Sequence, residues 1–495
     1  MEGRASNFKK VLVDFESRLP SADFVAIDTE LTGVDLEGEM DSFDDTAMVR
    51  LDRNCRIAER YSLIQLGLTL VSQERTGREE ILNFVSYNLF AFPYAGNDLI
   101  GRDQGFFCQA SALQFNAQHN VDFNTWIKDG IPYMSREDER RFKKYYARAE
   151  EKAGLLKLWK SLCQRQLPFV VHCPLDLFFL LATFERRPLP RNDPRAMAQM
   201  IKQCTPKVID TAHLHGALGG FKRLALTKFA EDAKARYEEM ASNGSVTPLK
   251  FRLVGETNSR YGSKNDMAHE AGFDSLVTAQ LYAYLREISP AQVKEGANRL
   301  FLYKSIEYLD LERAAMEGEV GACMFDLSRV TLLVAALDPT EGSDAPRLIG
   351  NAGHLCKWID ALHVLVVMRA SGGAAVRKAV ELAKKVHGVV SWMGFDEWRE
   401  GEAQKAQVAS EVPDASSDAA MTGANGCKDT PAASSESNRS PSAKFFHSGH
   451  FALSRSRAKL LAVGAGMMFI LLCAVRAELG SGISRLLKRL RRPVS

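Results

Sequence analysis

This 495-residue chain has no excess of charge of either sign: 64 Lys and Arg stand against 61 Asp and Glu. No bulk field marks it as a binder of polyanions, and any basic track must be local. Its nine cysteines (Cys55, Cys108, Cys163, Cys173, Cys204, Cys323, Cys356, Cys427 and Cys473) are odd in number and contain no C-x-x-C pair. That excludes a disulfide framework and a zinc ribbon, and it fits a reducing compartment. The first ten residues, Met1 to Lys10, lack the apolar run of a secretory signal. What remains is a length suited to two or three domains with linkers.

From Asn7 to about Pro290 the pattern is mixed α/β. An amphipathic stretch around Phe8, Val11, Leu12 and Phe15 predicts a leading helix, and Phe24 to Leu31 a first buried strand. Asp35 to Arg60 reads as an acidic loop with helical pieces. Ser62 to Val71 and Ile81 to Val85 read as further strands, antiparallel because no crossover helix separates them. Ser135 to Trp159 predicts one long, charged, exposed helix. Phe169–Val171 is a short strand running into a helix from Leu177 to Phe184, and Lys207 to Thr211 is another strand. Beyond Arg299 the strand-like stretches are Val330–Leu337, Leu362–Met368 and Val389–Trp392, with helical stretches at Gly350–Asp360 and Ala374–Val386. That order suits a small βαββαβ sandwich without evident aromatic stacking residues.

The chemistry begins at Asp28 and Glu30. On a strand, residues i and i+2 share a face, so two carboxylates sit side by side in an apolar segment. Burying such anions demands a cation, a shared proton or a strand end in water, and hard divalent cations with oxygen ligands satisfy them most simply. Later acids at element boundaries are Asp176, after Phe169–Val171, Asp210, ending the next strand, and Asp274, just before the helical run Leu276–Leu285. With the pair they make four or five acids, the kind of set that two-metal phosphodiester cleavage requires. His269 precedes Asp274 by five residues, with Gly272 between them predicting a loop that turns both toward one site.

Asp28-Thr29-Glu30, Asp176, His269 and Asp274, in that order, resemble the DEDDh superfamily of 3′-to-5′ exonucleases, an RNase H-like fold. More narrowly, Phe24 to Asp28 with Glu30 and Gly33, Ser62 to Leu68, Asp122-Phe123-Asn124 with Gly130 to Tyr133, and His269 to Asp274 resemble the poly(A)-specific ribonuclease family, including its membrane-anchored branch. The resemblance implies Asp28, Glu30, Asp176 and Asp274 as ligands of two divalent ions, Mg2+ or alternatively Mn2+, and His269 as general base. It implies release of 5′-monophosphates from a single-stranded RNA 3′ end, a poly(A) tail or a small-RNA extension, and a homodimer. Two departures stand out. A family-typical His-Asn pair is His172-Cys173, and only about 40 residues separate Tyr133 from His172, too few for an inserted single-strand-binding domain. Asp210 matches a family Asp-Thr element and reads as a structural acid.

The expected architecture is an RNase H-like exonuclease domain with a mixed sheet at 1–295, a divergent RNA-recognition-motif-like domain at 299–398, a disordered linker at 401–450 and a transmembrane tail anchor at 459–480. The linker is rich in Ala, Ser, Gly, Asp and Thr. Leu460 to Val475 is uncharged, with Arg455, Arg457 and Lys459 before it and Arg485, Lys488, Arg489, Arg491 and Arg492 after it. At about 1.5 Å per residue it spans roughly 24 Å, enough for a thin membrane if the flanking cations snorkel. The mitochondrial outer membrane or the endoplasmic reticulum is then the expected location, with the catalytic domain facing cytosol. The rival reading is a membrane-tethered RNA-binding adaptor that kept the fold without turnover.

Overall fold

A computed structural model of the chain describes residues 1–411 apart from internal stretches, chiefly 94–104, 144–152, 218–224, 263–266, 324–330 and nearly all of 340–354 and 369–388. The apolar run at 460–475 and most of the expected linker lie outside the described residues. Among the described residues no helix is long and apolar enough to cross a membrane.

Residues before about 300 build one eight-stranded mixed sheet. Its strands are β1 (Glu2–Gly3), β2 (Phe24–Leu31), β3 (Leu63–Thr76), β4 (Glu79–Pro93), β5 (Ile131–Tyr133), β6 (Phe169–Val171), β7 (Val208–Asp210) and β8 (Leu249–Leu253). The order is β1-β4-β3-β2-β6-β7, with β5 and β8 also paired to β4. β2, β3 and β4 run antiparallel, as their sequence spacing suggests, while β6 and β7 continue the sheet in parallel with β2. β2 is apolar on both faces because both are covered. Val25, Ile27 and Leu31 join one core with helices Ala47–Arg60, Leu155–Arg165 and Pro174–Phe184. Phe24 and Ala26 join the other with helix Ala271–Ile288.

Local expectations fail where packing overrides pattern. The acidic segment contains a full helix, Ala47–Arg60, whose Arg50 and Arg53 pair with Asp41 and Asp45. The single exposed helix expected over 135–159 is not formed: Arg136–Lys143 and Leu155–Arg165 are separate, and Gly154 has φ +51. The second of them buries Leu155, Leu156, Leu158 and Trp159. The charge pattern concealed that core stripe.

The expected boundary near 295–299 does not separate two cores. β9 (Arg299–Phe301), β10 (Glu307–Asp310) and β11 (Gly321–Cys323) form a small antiparallel sheet, and Leu300, Leu309, Leu311 and Ala314 pack in the first core. A second sheet follows, with β12 (Thr331–Leu337), β13 (Leu355–Trp358), β14 (His363–Met368) and β15 (Val389–Gly394) in the order β13-β14-β12-β15, antiparallel throughout. Residues 355–358, expected as helix, are therefore strand. Most of the expected helix at Ala374–Val386 lies outside the described residues. One face of this sheet, through Val334 and Leu365, packs against Phe395 and Trp398 of helix Phe395–Glu411. That helix also occupies 401–411, the first part of the expected linker.

Candidate active site

The short neighbour β6 sets the site. It pairs only with Val25 and Ala26 of β2 and then turns at His172-Cys173, so β2 continues alone on that edge through Asp28 and Glu30. Strand ends next to a longer neighbour leave such a crevice. Asp176 enters it from the first turn of helix Pro174–Phe184, where its carboxylate accepts the Thr29 hydroxyl at 2.5 Å.

The other wall is the start of helix Ala271–Ile288, and alternate residues of β3 dock it. Gln65, Gly67 and Thr69 lie opposite Glu30, Asp28 and Ala26 and share their face. The Ala271 amide donates to Gln65 Oε1 at 3.2 Å, and the Gly272 amide donates to Asn88 Oδ1 at 3.1 Å. The Thr69 and Ser275 hydroxyls are 2.8 Å apart. Two of the amides a helix N-terminus leaves unpaired are thus satisfied by strand side chains. At Gly67 the absent side chain is essential: a Cβ there would collide with the Ala271 carbonyl.

Asp274 lies in the first turn of this helix, which begins five residues before the expected Leu276. Gly272 is therefore helical, and its smallness admits Asn88 and Tyr261 rather than creating a loop. The turning residue is His269 itself, at φ +68, whose backbone N–H donates to Asp274 Oδ2 at 3.0 Å. Ligand atoms of Glu30, His269 and Asp274 all lie within 4.8 Å of one another.

Electrostatics follow from the crowding. Burial, then Asp176, Asp274 and Glu30, push the Asp28 carboxyl well above its usual range. Burial, then Asp274 and Asp176, do the same to Glu30. Burial raises Asp176 to about 7 against the opposing Thr29 hydrogen bond, and raises Asp274 to about 6 against that of His269. Among the described ion pairs, none of the four acids meets a Lys or Arg. This unpaired oxygen donor set fits hard divalent cations.

Asp210 takes no part in the cluster. Its Oδ1 accepts the Ala212 and His213 amides and its Oδ2 the Phe301 amide at 2.7 Å, which ties β9 to the end of β7.

The profile of the CAF1 family ribonuclease matches residues 4–154 and 144–282. This chain belongs to the CAF1 ribonuclease family. It is similar to the poly(A)-specific ribonuclease PARN of Arabidopsis thaliana, 36% identical over 142 residues, 28% of this chain and 20% of that protein. The Homo sapiens protein of the same name is 31% identical over 157 residues, 31% of this chain and 24% of that protein. The poly(A)-specific ribonuclease PNLDC1 of Mus musculus is 29% identical over 176 residues, 34% of this chain and 31% of that protein. The matched segments thus span between a fifth and a third of these relatives. A structure of Schizosaccharomyces pombe Pop2p, in an Mg2+- and Mn2+-bound form, aligns over 61% of this chain and 98% of its own at TM-score 0.41 and 14% identity.

In this CAF1-family chain, sequence reasoning overlooked three kinds of residue. Gly67 and Gln65 stood inside a quoted motif, but their use depends on which helix crosses the strand. Asn88 lies on β4, beyond the strand expected at Ile81–Val85. His119 caps helix Ala110–Gln118, and its ring centroid is 4.2 Å from that of His269 and 4.3 Å from that of Phe115. Nothing in the polar pattern of 110–120 announced that placement.

Proposed function

We propose that the chain is a metal-dependent 3′-to-5′ exoribonuclease that removes nucleotides singly from a single-stranded RNA end and releases 5′-monophosphates. The observation that carries this reading is the convergence of Asp28, Glu30, Asp176 and Asp274 with no cationic partner among the described residues. Those four carboxylates would hold two divalent ions, Mg2+ or Mn2+, which when bound supply Lewis acidity and lower the pKa of water.

The protein's own groups do the rest. Thr29 orients Asp176, and the His269 amide orients Asp274. Burial, then the nearby His119, lower the His269 pKa, so at neutral pH its imidazole is an uncharged base able to take a proton from the attacking water. The adaptor reading is disfavoured, because clustered anions repel phosphate and serve a binding surface poorly.

Poly(A) is the favoured substrate, on the names of the relatives, and a small-RNA 3′ extension is the second choice. The strand order β13-β14-β12-β15 supports an RNA-recognition-motif-like sandwich. Its central strands carry aliphatic residues, and helix Phe395–Glu411 covers one face, so base stacking there is not part of the proposal. The uncharged run Leu460–Val475 supports anchorage to the mitochondrial outer membrane or endoplasmic reticulum with the nuclease facing cytosol. A homodimer rests on the family resemblance alone.

The test is trimming of 3′-extended single-stranded RNA in Mg2+ by wild type, Asp28→Ala and Glu30→Ala. Loss in both variants, and in EDTA, is expected; unchanged trimming by either variant overturns the reading. For the anchor, a chain ending at Ala458 should leave the membrane fraction, and continued pelleting would refute it.

A further inference from the structure

Away from the acidic cleft, Cys163, Glu185 and Cys204 can each place a ligand atom within 4.8 Å of the other two. They come from three helix C-terminal ends. Cys163 is in the last turn of Leu155–Arg165, Glu185 is the C-cap of Pro174–Phe184, and Cys204 is the last residue of Pro194–Cys204. Each such end carries partial negative charge from unpaired carbonyls and the aligned peptide dipoles, so their meeting point favours a cation.

Part of that demand is already met. The Arg136 guanidinium lies 2.9 Å from Glu185 Oε1, and the Trp159 indole N–H donates to the same oxygen at 2.7 Å. The Cys204 thiol is 3.7 Å from that oxygen and 3.4 Å from the Met200 carbonyl. Both cysteines are buried.

We propose that Cys163, Cys204 and Glu185 form a site for one thiophilic divalent cation of the zinc class, distinct from the oxygen-only cleft. Two sulfurs with one carboxylate select zinc over magnesium by softness. Three protein ligands leave a fourth tetrahedral position for water, which the partly exposed Glu185 side chain can admit. Zinc–sulfur bonds of about 2.3 Å put two thiolates ~3.8 Å apart, so a span of at most 4.8 Å closes with no more than about 1 Å of side-chain movement. On binding, each thiol gives its proton to solvent as its sulfur–metal bond forms, and no electron changes hands. Two thiolates, one carboxylate, the dication and Arg136 together are neutral, which offsets part of the cost of burying them. Because Glu185 caps the helix whose first turn carries Asp176, a cation here holds that helix from its far end.

The probe is Co2+, which gives a thiolate-to-metal charge-transfer band only with sulfur ligands, added to the reduced full-length chain in excess Mg2+. One equivalent should develop the band, and one equivalent of Zn2+ should abolish it. Cys163→Ser and Cys204→Ser should each lose it, and Glu185→Gln should weaken Co2+ binding at least tenfold. If the serine variants fail to fold, Zn2+ should protect two thiols of the wild type from maleimide at a urea concentration that opens the buried cysteines to the reagent. Absence of the band, an undiminished band in Cys163→Ser, no thiol protection, or oxidation of the pair to a disulfide in place of binding would each overturn the proposal.

Discussion

The contact between Gly67 and the start of helix Ala271–Ile288 makes a quantitative demand on the proposed chemistry. Gly67→Ala adds one methyl group opposite Asp28, aimed at the Ala271 carbonyl. Backbone cannot rotate away as a side chain can, so the helix start must retreat by roughly 1 Å or more to restore contact distance. Overpacking of this kind costs about 1–3 kcal/mol. Asp274 rides three residues beyond Ala271, so it moves with the helix relative to Asp28 and Glu30. A misplacement of ~1 Å costs on the order of 100-fold in rate. The assay is Mg2+-dependent RNA trimming per folded molecule, alongside urea unfolding. Gly401→Ala serves as control, because a Cβ there meets nothing within 4 Å and stabilises its helix by about 0.5–1 kcal/mol. Full trimming by Gly67→Ala at saturating Mg2+ would refute the claim that this glycine sets the carboxylate spacing.

Without divalent cations, stability should fall as pH rises. Asp176 and Asp274 titrate at about 7 and about 6 in the folded chain against ~4 unfolded, so between those values the folded state binds more protons. Thermal scans from pH 5 to 8 should show this decline, saturating Mg2+ should flatten it, and a rising metal-free Tm would contradict it. Asp28→Asn should raise the metal-free Tm at pH 8 while abolishing trimming; an unchanged Tm counts against the repulsion. His269→Gly removes the ring while relieving the φ +68 backbone, so it should unfold no earlier than wild type yet trim 100- to 10,000-fold more slowly. Asp210→Ala should lose about 2–4 kcal/mol in urea unfolding, since three backbone amides lose their acceptor. Its folded fraction should keep wild-type Mg2+ affinity, and a weaker affinity would make Asp210 a ligand.

The sequence alone determined the acid pair and the need for its compensation, because strand periodicity puts Asp28 and Glu30 on one face whatever surrounds them. It also placed Asp176 and Asp274 near the starts of helices and set the antiparallel order of the early strands, all properties of neighbouring residues. Tertiary structure decided the rest. Whether Asp210 serves as ligand or clamp depends on β9 arriving beside it, and whether Gly67 is filler or spacer depends on the helix that crosses it. The exposed helix expected over 135–159 is two helices for the same reason, since Leu155 to Trp159 meet a core that only the folded sheet provides. His119 reaches His269 across 150 residues of chain, a separation over which local pattern carries no information.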